Sequence, residues 1–103
     1  MARNQGDSTE VAQGILELIG GDTGLSRLRA ARVEALPDGI IFNLMDGYTL
    51  TGVVVIRKIG IGSYRVYVAT LGKLVEARGT DGVKPEDVRE VLWKLIGKKE
   101  PAF

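Results

Sequence analysis

Apolar and polar side chains alternate with a period of two through the middle of the chain, over residues 32–79. Such alternation is typical of antiparallel strands that have one buried and one solvated face. Turn-forming sequences divide this region at Pro37-Asp38-Gly39, Asp46-Gly47, Gly60 with Gly62, and Leu71-Gly72. Proline presets φ and glycine accepts a positive φ, as tight turns require. The pattern predicts a meander of four to five antiparallel strands, with a bulge or bend where Gly52 interrupts one of them.

Helical periodicity flanks the meander on both sides. An N-terminal helix is predicted to begin at Asp7 or Ser8 and to end at Gly20-Gly21, and its apolar stripe is Val11, Ile15, Leu18 and Ile19. A C-terminal helix is predicted to begin at Pro85 and to end at Gly97, and its stripe is Val88, Leu92, Leu95 and Ile96. For residues 22–30 we expect a short helical turn with Leu25 and Leu28 inward, the alternative being an irregular connection.

These elements predict the fold class α+β, with an N-terminal helix, an antiparallel four- to five-stranded meander and a C-terminal helix. Each helix has one apolar stripe, so both helices can pack on one face of the sheet. Closure of the strands into a small barrel, resembling an Sm-like or SH3-like domain, is the alternative architecture. Residues 8–97 are predicted to form a single domain, preceded by a disordered N-terminus at residues 1–7 and followed by a flexible tail at residues 98–103.

Composition restricts the chemistry that is open to this chain. Its 103 residues include no cysteine and no histidine, which removes disulfides, thiolate metal sites and the usual general base. We therefore expect no enzymatic activity, no metal and no cofactor, although chemistry based on carboxylates or tyrosine stays open. The longest apolar run, residues 53–56, is too short to cross a bilayer, and the polar N-terminus lacks the apolar core of a signal peptide. A cytoplasmic protein is expected.

The phase of the alternation assigns side chains to the two faces of the sheet. The inward face is predicted to hold Phe42, Leu44, Leu50, Val54, Ile56, Val66 and Val68. The candidate residues for binding single-stranded nucleic acid lie on the opposite face: Arg57, Arg65, Tyr67, Arg78, Asn43 and Thr51. Bases stack on aromatic or guanidinium planes while positive charge follows the phosphates. The alternative is an ordinary solvated sheet face, where arginine and threonine are common.

Charge supports the first interpretation only modestly. Residues 22–80 carry eight basic and five acidic side chains, a net charge of +3, although the whole chain has a net charge of +1. This positive excess falls on the predicted strands. It is smaller than the basic surface that a protein needs to bind duplex DNA.

Two places in the sequence are candidates for a subunit interface. Trp93 lies beside the apolar stripe of the last helix, with Arg89 four residues before it, and both residue types are enriched at interface hot spots. The alternative for Trp93 is packing at the edge of the core. Val53 and Val55 are predicted on the solvated face of the sheet, where apolar residues suggest a covering subunit. A homodimer is therefore expected.

The order of a leading helix, an antiparallel sheet and a closing helix resembles the ThermoDBP-related proteins of hyperthermophilic archaea. The richness in valine, isoleucine and arginine, together with the missing cysteine and histidine, suits a thermophile. Over residues 8–97 the resemblance implies binding of single-stranded DNA or RNA on the sheet surface without catalysis, at the positions Arg57, Arg65, Tyr67 and Arg78. The chain also resembles small proteins of phages and mobile elements in residues 15–21 and in Gly82-Val83 before a helix, which implies no function.

Two functions of different classes follow from the sequence. The first is a non-catalytic module that binds single-stranded DNA or RNA on the basic and aromatic face of an antiparallel sheet. The alternative is a structural or protein-interaction module that acts through homodimerisation or protein docking. No membrane and no small-molecule cofactor are expected as partners.

Overall fold

The computed structural model describes residues 2–72 and 74–98, with side chains from Glu10 onward. The helices are α1 (Ala2–Leu18), α2 (Gly21–Leu28) and α3 (Val88–Ile96), and a 3-10 turn at Pro85–Asp87 leads into α3. The strands are β1 (Ala30–Leu36), β2 (Gly39–Asp46), β3 (Thr49–Gly60), β4 (Ser63–Leu71) and β5 (Val75–Val83). The predicted α+β class is confirmed.

The five strands form one sheet in the order β1-β2-β3-β4-β5, and every neighbouring pair is antiparallel. Consecutive strands are joined by short turns, as the turn sequences predict. β1 and β5 are the two edges, so the sheet is open and does not close into the small barrel of the alternative architecture.

The core lies between one face of the sheet and the helices. The sheet contributes Ile40, Phe42, Leu44, Val54, Ile56, Val66 and Val68, and the helical segments contribute Ala12, Ile15, Ile19, Leu28, Val88, Leu92 and Trp93. Phe42 is the largest side chain in this core that is fully enclosed. Packing of the helices on one face of the sheet is confirmed, and the other face is left to solvent.

A β-bulge in β3 changes the phase of the alternation. Leu44 pairs with Gly52, whereas the next residue, Met45, pairs with Leu50. Thr51 is therefore the extra residue, which confirms the bulge or bend predicted at Gly52. Leu50 shares a side of the sheet with Met45 and is 40% exposed, so its predicted inward position is wrong.

A second bulge interrupts the edge strand β1. Ala31 pairs with Asn43 and Glu34 with Ile41, which leaves one more residue on β1 than on β2 between these pairs. Arg32, inside the bulge, has a positive φ of 54°. This left-handed conformation is uncommon for residues other than glycine. The regular hydrogen-bonding edge of β1 is thereby broken in its middle.

The helix boundaries differ in part from the prediction. α1 begins at Ala2, whereas the sequence predicts a start at Asp7 or Ser8. Residues 22–28 belong to a helix of eight residues that begins at Gly21, with Leu28 buried. Gly97 ends α3 with a φ of 82°, as predicted. The predicted tail lies outside the described residues, apart from Lys98, and no helix among the described residues is long and apolar enough to span a membrane.

Candidate binding face on the open side of the sheet

The side of the sheet that faces away from the helices, called the open face below, is defined by the strand register. Residues directly opposite each other in paired strands point to the same side of the sheet. Three rows cross β2, β3 and β4: Asn43 with Val53 and Ala69, Ile41 with Val55 and Tyr67, and Gly39 with Arg57 and Arg65. β5 extends the first two rows with Ala77 and Gly79.

Tyr67 lies on β4 in the middle row of the open face and is 39% exposed. Its cross-strand neighbours are Val55 on β3 and Gly79 on β5. A Cβ atom added to Gly79 would lie 3.2 Å from Cδ2 of Tyr67, so the ring leans over the bare backbone of β5. An aromatic ring that covers a glycine on a neighbouring strand also stabilises the strand pair. Tyr67 therefore has a structural role as well as an exposed surface that could stack on a ligand.

Arg57 and Arg65 lie directly opposite each other on β3 and β4. Each guanidinium is held by a carboxylate: Arg57 Nη1 donates to Asp38 Oδ1 at 2.7 Å, and Arg65 Nε donates to Asp81 Oδ1 at 2.6 Å. A further bond of 3.2 Å from Arg65 Nη2 to Oδ2 makes the pair with Asp81 bidentate. Like charges directly opposite each other destabilise a sheet, so the two carboxylates offset that repulsion.

The pKa values of the second pair shift in the directions that such a pair requires. The hydrogen bond and the charge of Arg65 lower the pKa of Asp81 below its usual range, and Asp81 in turn raises the pKa of Arg65. Asp38 adds a smaller favourable charge interaction to Arg65. This end of the open face is thus a compact cluster of two cations and two anions. The four side chains together carry no net charge.

The register separates one predicted nucleic-acid residue from the others. Arg78 pairs with Val68, whose side chain lies in the core, so Arg78 points to the helix side of the sheet. Its Nη2 atom is 3.4 Å from Glu76 Oε2 on the same strand. The prediction that Arg78 shares a face with Arg65 and Tyr67 is wrong, because the alternation on β5 places it one residue out of phase.

Thr51 does not contribute its hydroxyl to the open face. As the extra residue of the β3 bulge, it donates a hydrogen bond of 3.1 Å from Oγ1 to the carbonyl oxygen of Leu44. This bond satisfies a backbone acceptor at a point where the ladder is interrupted. Asn43, in contrast, lies on the open face in the row of Val53, as predicted from the alternation.

The predicted interface residues lie in different parts of the fold. Val53 and Val55 are half-buried neighbours on the open face. Trp93 is only 7% exposed and packs in the core, so little of its surface is accessible to a partner. The guanidinium carbon of Arg89 lies 3.6 Å from the position of a Cβ on Gly20, which directs this side chain toward the junction of α1 and α2.

A recess of about 340 Å³ on the helix side was not anticipated from the sequence. It lies between the C-terminal ends of α2 and α3 and the sheet, and Trp93 forms part of its wall. Arg29 and Lys98 line it, and Arg29 is 3.4 Å from Asp46. Cations are favoured near helix C-termini by the helix dipole, which explains these side chains without a ligand.

Groups of acidic side chains that could hold a metal ion do not occur within the described part of the chain. Comparison of the chain with protein-family models, with curated proteins and with solved structures found no match. The resemblance to the ThermoDBP-related proteins thus stays a prediction. The open face is therefore the feature of the described structure from which a function can be inferred.

Proposed function

We propose that this protein is a non-catalytic binding module that takes single-stranded nucleic acid on its open face. The observation that carries the proposal is the exposed ring of Tyr67 in the middle row of that face, with the row of Arg57 and Arg65 beside it. Bases of single strands stack on exposed aromatic rings, and arginine contacts phosphates or stacks on bases. Tyr67 would hold a base, and the two arginines would contact its backbone.

The apolar neighbours of Tyr67 support the same use of the face. Ile41, Val53 and Val55 form an apolar surface that extends from the ring across β3 and β2, and each is half-buried. Bases present flat apolar faces that gain from contact with such a surface. Asn43, at the other end of the row of Val53, offers an amide that can bond to a base edge.

The ion pairs of the arginines determine how this binding depends on salt. Arg57 and Arg65 each donate to a carboxylate, Asp38 or Asp81, so a phosphate that binds the remaining N–H groups of either arginine gains less from its charge. Stacking on Tyr67 must then provide most of the affinity. For a single strand, each phosphate that the protein neutralises contributes about −0.7 to the slope of log K against log salt concentration. Two arginines therefore allow a slope no steeper than about −1.4.

The test is a titration of labelled single-stranded DNA and RNA, followed by fluorescence anisotropy at two salt concentrations. Tyr67→Ala should weaken binding by about 5- to 150-fold, because stacking of one base contributes about 1–3 kcal/mol. Tyr48→Ala is the matched control, since Tyr48 is fully exposed in the turn between β2 and β3. Absence of binding at low salt would sink the proposal, and so would an equal loss in both variants.

A second candidate, a protein-interaction module, is favoured by the apolar residues that occupy the remainder of the open face. Besides the row of Ile41 and Val55, Met45 and Leu50 are paired on this side. The occupant would be a second copy of the chain, packed open face on open face, because the charges at the end of this face are already neutralised. Self-association that Val55→Asp abolishes, together with absence of oligonucleotide binding, would favour this function over the first.

A further inference from the structure

β5 is an edge strand whose outer side has no partner among the described strands. Its residues 75–80 pair with β4 without a break in register, and residues 74–82 are exposed without interruption. A regular, accessible edge presents a row of unpaired N–H and C=O groups, which can pair with another strand. The side chains on β5 decide which strand fits this edge.

We propose that two copies of this chain join through their β5 strands, antiparallel and centred on Ala77, into one continuous sheet. Around a two-fold axis at one residue, positions equally far before and after that residue lie opposite each other. With Ala77 on the axis, Glu76 lies opposite Arg78 of the partner subunit, and Arg78 lies opposite Glu76 of the partner subunit. Both charged pairs are complementary, and the axis generates the second from the first.

The neighbouring registers lack this match. An axis at Glu76 places two glutamates directly opposite each other, and an axis at Arg78 does the same with two arginines. An axis at Gly79 places Arg78 opposite Thr80 and leaves both charges without a partner across the interface. Like charges in direct opposition destabilise a sheet, whereas opposite charges stabilise it. Charge therefore selects the register centred on Ala77.

The charged side chains are available for this exchange. Within one chain, Arg78 Nη2 lies 3.4 Å from Glu76 Oε2, and the two side chains are 62% and 61% exposed. Both point to the helix side of the sheet, since Arg78 pairs with the core residue Val68. Pairing across the axis replaces the loose contact within each of the two strands by two contacts between the strands, on the same side of the sheet.

The open-face residues of β5 also match across the axis. Ala77 meets its own copy, which needs little space, and Val75 lies opposite Gly79 of the partner subunit. Val75 is among the large apolar side chains that are exposed in the single chain. Gly79 has no side chain that would clash with Val75, and the ring of Tyr67 on β4 lies against Gly79 within the same chain. The pairing would therefore cover Val75 with the backbone of Gly79 of the partner subunit.

The two-fold axis is perpendicular to the sheet, so the helices of both copies lie on one side and the two open faces join on the other. The proposal does not depend on what the open face binds. The test measures the mass in solution by analytical ultracentrifugation, which needs no nucleic acid. The wild type should sediment as a dimer.

Charge reversal provides a specific prediction for three variants. In Glu76→Arg both charged pairs across the axis become pairs of arginines, and in Arg78→Glu both become pairs of glutamates. Each variant alone should therefore dimerise at least about tenfold more weakly than the wild type. An equimolar mixture of the two should form a heterodimer, because each charged pair is then complementary. The double variant Glu76→Arg with Arg78→Glu should dimerise like the wild type.

Glu34→Arg, the same exchange on the exposed part of β1, is the matched control and should leave dimerisation unchanged. Circular dichroism of each variant checks that the fold is intact, which is expected because the exchanged side chains are exposed. A monomeric wild type at high concentration would overturn the proposal. It would also be overturned if both single variants dimerise as well as the wild type, or if their mixture stays monomeric. None of these results bears on the oligonucleotide titration.

Discussion

Replacement of Trp93 by alanine tests whether this side chain belongs to the core or to an interface. A buried tryptophan covers about 150–250 Å² of surface, which at about 25 cal/mol per Å² corresponds to an upper bound of about 4–6 kcal/mol. Trp93 also borders the recess of about 340 Å³ that Arg29 and Lys98 line. Truncation enlarges this recess, which water can enter, and adds little cavity cost. We expect Trp93→Ala to lower the free energy of unfolding by about 3 kcal/mol, which is at the low end for replacement of a buried aromatic residue by alanine.

Phe42→Ala provides the comparison, because Phe42 is completely enclosed with 0% exposure. Its truncation leaves a void without access to water, so the expected loss lies toward about 5 kcal/mol although phenylalanine is the smaller side chain. Urea unfolding is followed by circular dichroism, since Trp93 is the one tryptophan of the chain and its fluorescence disappears. In thermal unfolding, Trp93→Ala should lower Tm by about 12–24 °C.

Two results would refute this reasoning. Unchanged stability of Trp93→Ala, accompanied by a lower mass in solution, would place Trp93 at an interface and not in the core. A loss larger than that of Phe42→Ala would show that the recess does not relieve the truncation. An unchanged m value in urea is required for either comparison, because a changed m value indicates a different unfolded or native state.

Two further predictions concern stability. Gly24→Ala should lower the free energy of unfolding in urea by about 1–3 kcal/mol, because its Cβ would overlap the carbonyl oxygen of Ile19. Gly14→Ala should raise it by about 0.5–1 kcal/mol, because there is open space around Gly14. Asp81 has a lowered pKa when folded, so its pair with Arg65 stabilises the fold above the unfolded pKa of about 3.9 and is lost as pH falls through the folded value. Asp81→Asn should therefore show a smaller loss of stability between pH 5 and pH 3, and an equal loss would contradict the pairing.

The buried face of the sheet could be predicted because large apolar residues occupy every second position of its central strands. Phe42, Val54 and Val66 each lie at the centre of a clear alternation, and the alternation assigns them inward without further information. Leu50 shows the limit of this reasoning. The extra residue Thr51 reverses which residues of β3 face inward. Gly52 indicates a bulge in the sequence, but it does not indicate whether the residues before or after the bulge change face.

The open face was predicted less well, for a different reason. Arg78 lies in a strand without an apolar alternation, so its side of the sheet followed only from pairing with Val68. Asp38 and Asp81 each precede a glycine in the sequence, a pattern that is typical of turns and does not indicate an ion pair. Their partners Arg57 and Arg65 are 19 and 16 positions away, and that proximity arises from the strand register.

The bulge at Arg32 has a consequence for assembly that reaches beyond the single chain. A sheet with two regular edges can add copies at both sides and grow into a fibre, since nothing limits the repetition. Here β1 is kinked by a left-handed residue in its middle, and the β5 edge alone is regular over residues 75–80. Growth by strand addition would therefore stop after one step. The left-handed conformation of Arg32 would thus restrict assembly by strand addition to the β5 edge.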